Sequence, residues 1–238
     1  MIITKEIRNK TILDFPTPLP SEQVKHFQNH FALTVLRYVD PFLYNEFIVA
    51  DAPDLQCTAK MIGVEVTTAT LECDAAISGD FATYRQTDSE ARKQSLEKKI
   101  TKRGGRMDAY GISYPPKTSS VEYQTIRDAI TRKEAKLSQY KDNGFQRLNL
   151  FIHYEEPLCP WTETQMRNLF EETRCSQTYD VVYLCASSVL ITYQYSNRDY
   201  HVIPISRGDY ECFGSIARLT LEGNLNIDSP VWTTCEEK

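Results

Sequence analysis

The sequence predicts an α/β fold on the border with α+β, a mixed central sheet flanked by helices. Three observations lead there. Apolar runs at 61–68, 147–154 and 180–185 are dense enough to be strands with both faces covered. Segments with apolar residues at helical spacing alternate with them along the chain. A chain of 238 residues, 41% apolar and 25% charged, suffices for one substantial core, so a single domain over 1–238 is expected.

Taken in order, the first helix is expected to start at Leu19-Pro20-Ser21 with Ser21 as its N-cap. Val24, Phe27, Phe31, Val35 and Tyr38 then make one apolar stripe, and Asp40-Pro41 ends it. Residues 42–49 suit a strand or an extended segment leading into Asp51-Ala-Pro-Asp54. Two short strands follow, 55–60 and 61–68, the second interrupted only by Glu65. Residues 69–79 read as a loop, and a long polar helix fills most of 81–103 with Gly104-Gly105 as its stop. Tyr110-Gly-Ile-Ser-Tyr-Pro-Pro116 reads as an extended linker, and a helix from about Ser119 to Tyr140 ends at Asp142-Asn-Gly144. A central strand at 147–154, a helix from about Trp161 to Arg174 and strands at 180–185 and 189–195 complete the regular part. The remainder is expected to hold short strand-like pieces and an irregular tail.

Composition bounds the function. No apolar run approaches the roughly 18 residues that span a bilayer, and Met1-Ile-Ile-Thr-Lys-Glu-Ile-Arg8 is too charged for a secretory leader. A cytoplasmic protein with no membrane partner is therefore expected. Seven scattered cysteines form no CxxC pair, which favours reduced thiols over disulfides or a structural zinc. A net charge of −5 does not by itself indicate nucleic-acid binding. Between Arg92 and Arg106, however, Arg92, Lys93, Lys98, Lys99, Lys102, Arg103 and Arg106 face a single acid, Glu97. That cluster is either a solvated helix face or a phosphate-contacting one, for which Arg92, Lys99, Arg103 and Arg106 are the candidates.

A glutamate in the middle of a buried strand is costly unless something compensates its charge. Asp54 and Glu65 are eleven residues apart, enough for one strand out, a turn and one strand back. Such a pair of hard oxygen ligands suits Mg²⁺ or Mn²⁺. The alternative is a Glu65 paired with a Lys or Arg. In the helix after Ser119, Lys133 falls on the stripe Ile126, Ile130, Leu137, where it either snorkels to solvent or points at the two carboxylates. Lys136 lies about 60° off that stripe and is the second choice, since three residues advance a helix by about 300°. Lys60, Glu22, Thr67, the pair His26 and His30, His153, Cys57 and Glu155-Glu156 are weaker candidates, each with an ordinary structural reading.

Pro53-Asp54 followed by Gly63-Val-Glu65-Val-Thr67 resembles the PD-(D/E)XK nuclease superfamily, the restriction-endonuclease-like fold, over roughly residues 20–155. The resemblance implies metal ligation by Asp54 and Glu65, with the Val66 carbonyl completing the inner shell. In the superfamily a lysine two positions after the acidic residue orients or activates water, and here Thr67 stands at that position. The E-V-T version looks like a variant group whose lysine comes from a later helix, which Lys133 or Lys136 would supply. The implied function is a Mg²⁺-dependent endonuclease acting on DNA more than RNA, with a homodimer as an open expectation. A catalytically inactive binding or assembly module of the same fold is the alternative, and an unrelated small-molecule enzyme on an α/β sheet a third. The stretch 156–238 is expected to be a C-terminal extension of strands and helix.

Overall fold

The computed structural model describes residues 19–108, 111–156, 158–174 and 179–224. The N-terminal Met1-to-Arg8 segment, Tyr110, Cys175, Cys235 and the tail from 225 onward, all drawn on above, lie outside the described residues.

The central strands form because their sequences are apolar on both faces. β3 (Ile62–Thr68), β6 (Arg147–His153) and β7 (Val181–Ala186) are buried along nearly their whole lengths, as parallel strands covered by helices on both sides must be. β3 pairs with β6 and β6 with β7 in parallel register, Glu65 opposite Leu150. Antiparallel strands extend each side: β1 (Ile48–Val49) and β2 (Leu55–Cys57) beside β3, β8 (Val189–Gln194) and β9 (Asp199–Pro204) beside β7. Among the described residues the result is one seven-stranded mixed sheet of order β1-β2-β3-β6-β7-β8-β9. The C-terminal third thus contributes three strands to the same sheet.

Helices cover both faces. On one side α1 (Ser21–Val39) packs Phe31, Val35 and Leu36 with Phe213 and Ala217 of α8 (Arg207–Leu221) over Val64, Val66 and Phe151. The other side carries α5 (Ser119–Glu134), α6 (Leu137–Asp142) and α7 (Glu163–Glu172), whose Ile126, Ile130, Leu137, Leu169 and Phe170 meet Leu148, Leu150 and Ile152. Side chains alternate across a strand, so Gly63, Glu65 and Thr67 belong to the α5–α6 face. Between β3 and α5 the chain makes an excursion of α3 (Glu72–Gln86), α4 (Glu90–Lys102) and the two-stranded β4 (Arg106–Asp108) and β5 (Gly111–Ser113).

Several elements differ from the sequence expectation. α1 has Pro20, not Ser21, at its N-cap position. Within 42–49 the chain forms a short helix, α2 (Pro41–Tyr44), because Asp40 Oδ1 accepts from the Leu43 amide at 3.0 Å and Pro41 fits the first turn; only Ile48–Val49 is strand. The 55–60 strand stops at Cys57 and gives way to a 3₁₀ turn, Thr58–Lys60. The 69–79 loop is the first half of α3, with Glu72 and Asp74 in its first turn. The long polar helix is two helices, parted where the Ser89 hydroxyl accepts from the Arg92 amide and starts α4. The 110–116 linker contains β5, the helix expected to run to Tyr140 breaks after Glu134, and the irregular C-terminus contains β9 and α8, the latter capped by Ser206.

Candidate active site

Glu65 is held in the middle of β3 and is 1% exposed. Its Oε1 accepts from Lys133 Nζ at 2.6 Å and Lys136 Nζ at 2.9 Å, and its Oε2 from the Tyr140 hydroxyl at 2.5 Å. Burial by itself raises the pKa of a carboxyl; the hydrogen bonds from Lys133, Tyr140 and Lys136 outweigh it and hold Glu65 below its ordinary value. Burial also raises the Tyr140 pKa, and the charges of Glu65, Asp54 and Asp51 push it further the same way, so this hydroxyl stays a donor and senses all three carboxylates.

The break between α5 and α6 explains how two lysines three apart reach one oxygen. An unbroken helix would place them about 60° apart on its surface. Here the Lys133 carbonyl accepts from the Lys136 amide at 3.1 Å and from the Tyr179 hydroxyl at 2.8 Å. The chain is re-phased at 135–136, so Lys136 swings onto the Glu65 side while Leu137 and Tyr140 remain in the core. Lys133 is the more enclosed of the two, its side chain 16% exposed against 47% for Lys136.

Asp54 enters from the other side of the same strand edge. Its Oδ2 accepts from the Val66 amide at 2.9 Å, taking the ladder position beyond the start of β2. Its Oδ1 receives Lys25 Nζ at 3.2 Å and Asn29 Nδ2 at 3.5 Å, from positions i and i+4 on one face of α1. Lys25 also bridges to Asp51, and these partners offset its burial and raise its pKa. Because the N–H and C=O of one strand residue face the same neighbour, the Val66 carbonyl lies on the Asp54 side of β3. Gly63 completes the edge: a Cβ there would fall 2.2 Å from Pro53 Cγ, so only glycine lets Pro53 and the Asp54 turn close against β3.

The donor set fits a hard divalent cation. Asp54 Oδ1 has only the two longer contacts, one from a lysine whose side chain is 56% exposed. The Glu65 carboxylate retains lone-pair directions beyond its three donors. Mg²⁺ keeps several of its waters and needs only one or two carboxylates from the protein. Among the described residues no group of three or more His, Cys, Asp or Glu side chains is gathered for a metal, so an ion here would rest on Asp54, Glu65 and the Val66 carbonyl with its own waters.

The other candidates lie apart. Arg92, Lys99 and Arg106 are exposed on the α4–β4 excursion, and Arg103 is ion-paired with Asp80. Lys60 pairs with Glu46 at 3.0 Å, and Cys57 is buried. Glu22 and His26 sit on the exposed side of α1. His153 is a core residue: it stacks on Phe31 with centroids 4.4 Å apart, meets the Tyr210 hydroxyl at 2.7 Å, and burial lowers its pKa to about 4. Sequence reasoning passed over Lys25, Asn29, Tyr140 and Arg132. Arg132 donates from Nη2 to Thr67 Oγ1 at 3.4 Å and to the Thr68 carbonyl at 3.2 Å. The i, i+4 spacing of Lys25 and Asn29, and the place of Tyr140 on the same stripe as Lys133, are the signals that could have found them.

Comparisons of this chain with protein-family models, with curated proteins and with solved structures find no match. Its mixed α/β fold therefore stands on the geometry alone.

Proposed function

We propose that this chain is a metal-dependent nuclease that hydrolyses phosphodiester bonds, DNA in preference to RNA, in the manner of the PD-(D/E)XK superfamily its motif resembles. One observation carries the reading: Lys133 and Lys136, 68 and 71 residues beyond Glu65, both reach its carboxylate, beside an Asp54 bonded to the next residue of the strand. The resemblance calls for a lysine beside the acidic residue of the strand, and Lys133 and Lys136 both contact Glu65. Bound Mg²⁺ or Mn²⁺ would activate water and offset charge on a phosphoryl oxygen. Asp54, Glu65 and the Val66 carbonyl would hold that ion; Lys133, fixed by Glu65, is placed to donate hydrogen bonds to a water or a phosphate oxygen, and Tyr140 keeps Glu65 oriented. Lys98, Lys99 and Lys102, exposed on α4 with Arg92, offer a surface for the polyanion's backbone.

Among the described residues no helix is long and apolar enough to cross a membrane, and the described cysteines are free thiols. A cytoplasmic setting, where thiols stay reduced, agrees with this. Cutting both strands of a duplex takes two such sites, which a homodimer would provide.

The test is nicking of supercoiled plasmid with Mg²⁺. Glu65→Ala is expected to abolish nicking while the protein stays folded by circular dichroism; unchanged nicking in that variant would end the assignment. One feature favours a second reading, an inactive binding or assembly module: Lys133, Lys136 and Tyr140 already compensate Glu65. Calorimetry with Mn²⁺ separates the two. The nuclease reading expects saturable binding that Asp54→Asn removes, and the module reading expects none.

A further inference from the structure

We propose that Arg132 forms a phosphate-binding subsite beside Glu65, supplying the positive charge absent from position 67; this rests on the nuclease reading for its substrate, a nucleic-acid backbone. Arg132 is the residue before Lys133 at the exposed end of α5. One nitrogen, Nη2, ties it to the end of β3 through the Thr67 hydroxyl and the Thr68 carbonyl. Among the described residues Nε and Nη1 have no partner, so the guanidinium is anchored at one corner and keeps donors for an incoming anion. Nε and Nη1 lie on different edges of the guanidinium, so each can donate to a phosphate oxygen while Nη2 fixes the group in place, an anchor that a lysine ammonium here would lack.

Thr67 follows Glu65 on the same face of β3, so Arg132 lies one strand position from the carboxylate that Lys133 and Lys136 share. The local charges add up in favour of an anion. Glu65, Asp54 and Asp51 contribute three negative charges, while Lys133, Lys136, Arg132 and Lys25 contribute four positive ones. No described carboxylate neutralises Arg132, which contacts only a hydroxyl and a carbonyl. Arginine stays charged at any working pH, so its role is to bind and orient a phosphate rather than to move a proton.

The experiment measures binding of a short fluorescein-labelled DNA duplex by anisotropy, across a salt series, with Ca²⁺ in place of Mg²⁺. Arg132→Gln is expected to weaken binding about tenfold and to reduce the salt slope by about one. Arg132→Lys, which keeps the charge and loses the guanidinium's anchor to β3, should restore the slope and only part of the affinity. In plasmid nicking, Arg132→Gln should raise KM more than it lowers kcat. Unchanged affinity and slope in Arg132→Gln, in a variant whose thermal melting matches the parent, overturn the subsite even if the parent cleaves DNA. If the parent binds duplex with the expected Arg132 dependence but never cleaves, the hydrolytic reading fails and the subsite stands. A parent that neither binds nor cleaves overturns both.

Discussion

Among the described residues the Glu65 and Asp74 clusters each pair a buried carboxylate with a lysine, and they are built in opposite senses. At Glu65 two lysines and a tyrosine converge on one carboxylate, and the second lysine is 47% exposed. At the root of the α3–β5 excursion, one lysine serves two carboxylates: Lys117 Nζ lies 2.6 Å from Asp74 and also pairs with Glu156. Lys117 is 9% exposed and Asp74 2%, and the cavity beside them holds about 10 Å³, room for one water at most. Around Glu65 two lysines serve one carboxylate and Lys136 stays 47% exposed; around Lys117 two carboxylates share one lysine, with Glu156 25% exposed. Burial of an ion pair therefore does not mark a functional site. The sign of the surplus charge is what separates them: under the proposed function the Glu65 cluster receives a phosphate, while Lys117 braces Asp74 in α3 to Glu156, just beyond β6.

The comparison is broken most decisively at its centres. Glu65→Gln keeps the shape of the side chain and is expected to reduce Mg²⁺-dependent nicking at least about a thousandfold, measured on supercoiled plasmid. Lys117→Ala should leave nicking by the folded protein intact but destabilise it by about 3–5 kcal/mol in urea, because it strands two partly buried carboxylates. If Lys117→Ala instead abolished nicking at unchanged stability, the contrast between site and brace would collapse. Lys133→Ala is expected to slow nicking about a hundredfold. Lys136→Ala, whose side chain reaches Glu65 from solvent, should slow it about tenfold and cost under about 1 kcal/mol in the same urea titration.

The smallest effect concerns pH. The Glu65 pKa is held below 4.5, so its contribution to stability is complete above that value and is lost as pH falls through the lower, folded pKa. For Lys117, burial is outweighed by Asp74 and Glu156, which raise its pKa above 10.5; its contribution is complete below that value and lost as pH rises through the folded pKa. Thermal melting against pH should therefore show an acid loss that Glu65→Gln removes and an alkaline loss that Lys117→Met removes. An acid leg unchanged in Glu65→Gln would mean that the lysines do not hold the carboxylate ionised.

What the sequence made legible was local and periodic. Glu65 stood out because one acid interrupted a run of strand formers, and Lys133 because one cation interrupted a helical stripe. What stayed hidden depended on packing at a distance. Tyr140 reads only as the end of a helix until packing brings its hydroxyl to Glu65, whereas Lys136, about 60° off the stripe, is already the second choice from helix geometry. Arg132 reads as an ordinary exposed helix cation until the register of β3 brings Thr67 beneath it. The first half of α3 and the whole of α8, where a loop and irregular pieces are expected, are helical, with Ile77, Phe213 and Ile216 buried.

Where Pro53 closes on Gly63, a methyl group serves as a ruler. A Cβ at position 63 would fall 2.2 Å from the proline ring, so Gly63→Ala is a change without charge, donor or acceptor whose first effect is to push the Asp54 turn off β3. Asp54 holds Val66 through a single hydrogen bond of 2.9 Å, and that bond is the first to give. The distance between the two acids is thus written into the chain twice, once in the carboxylates and once in a proline and a glycine that carry no chemistry at all.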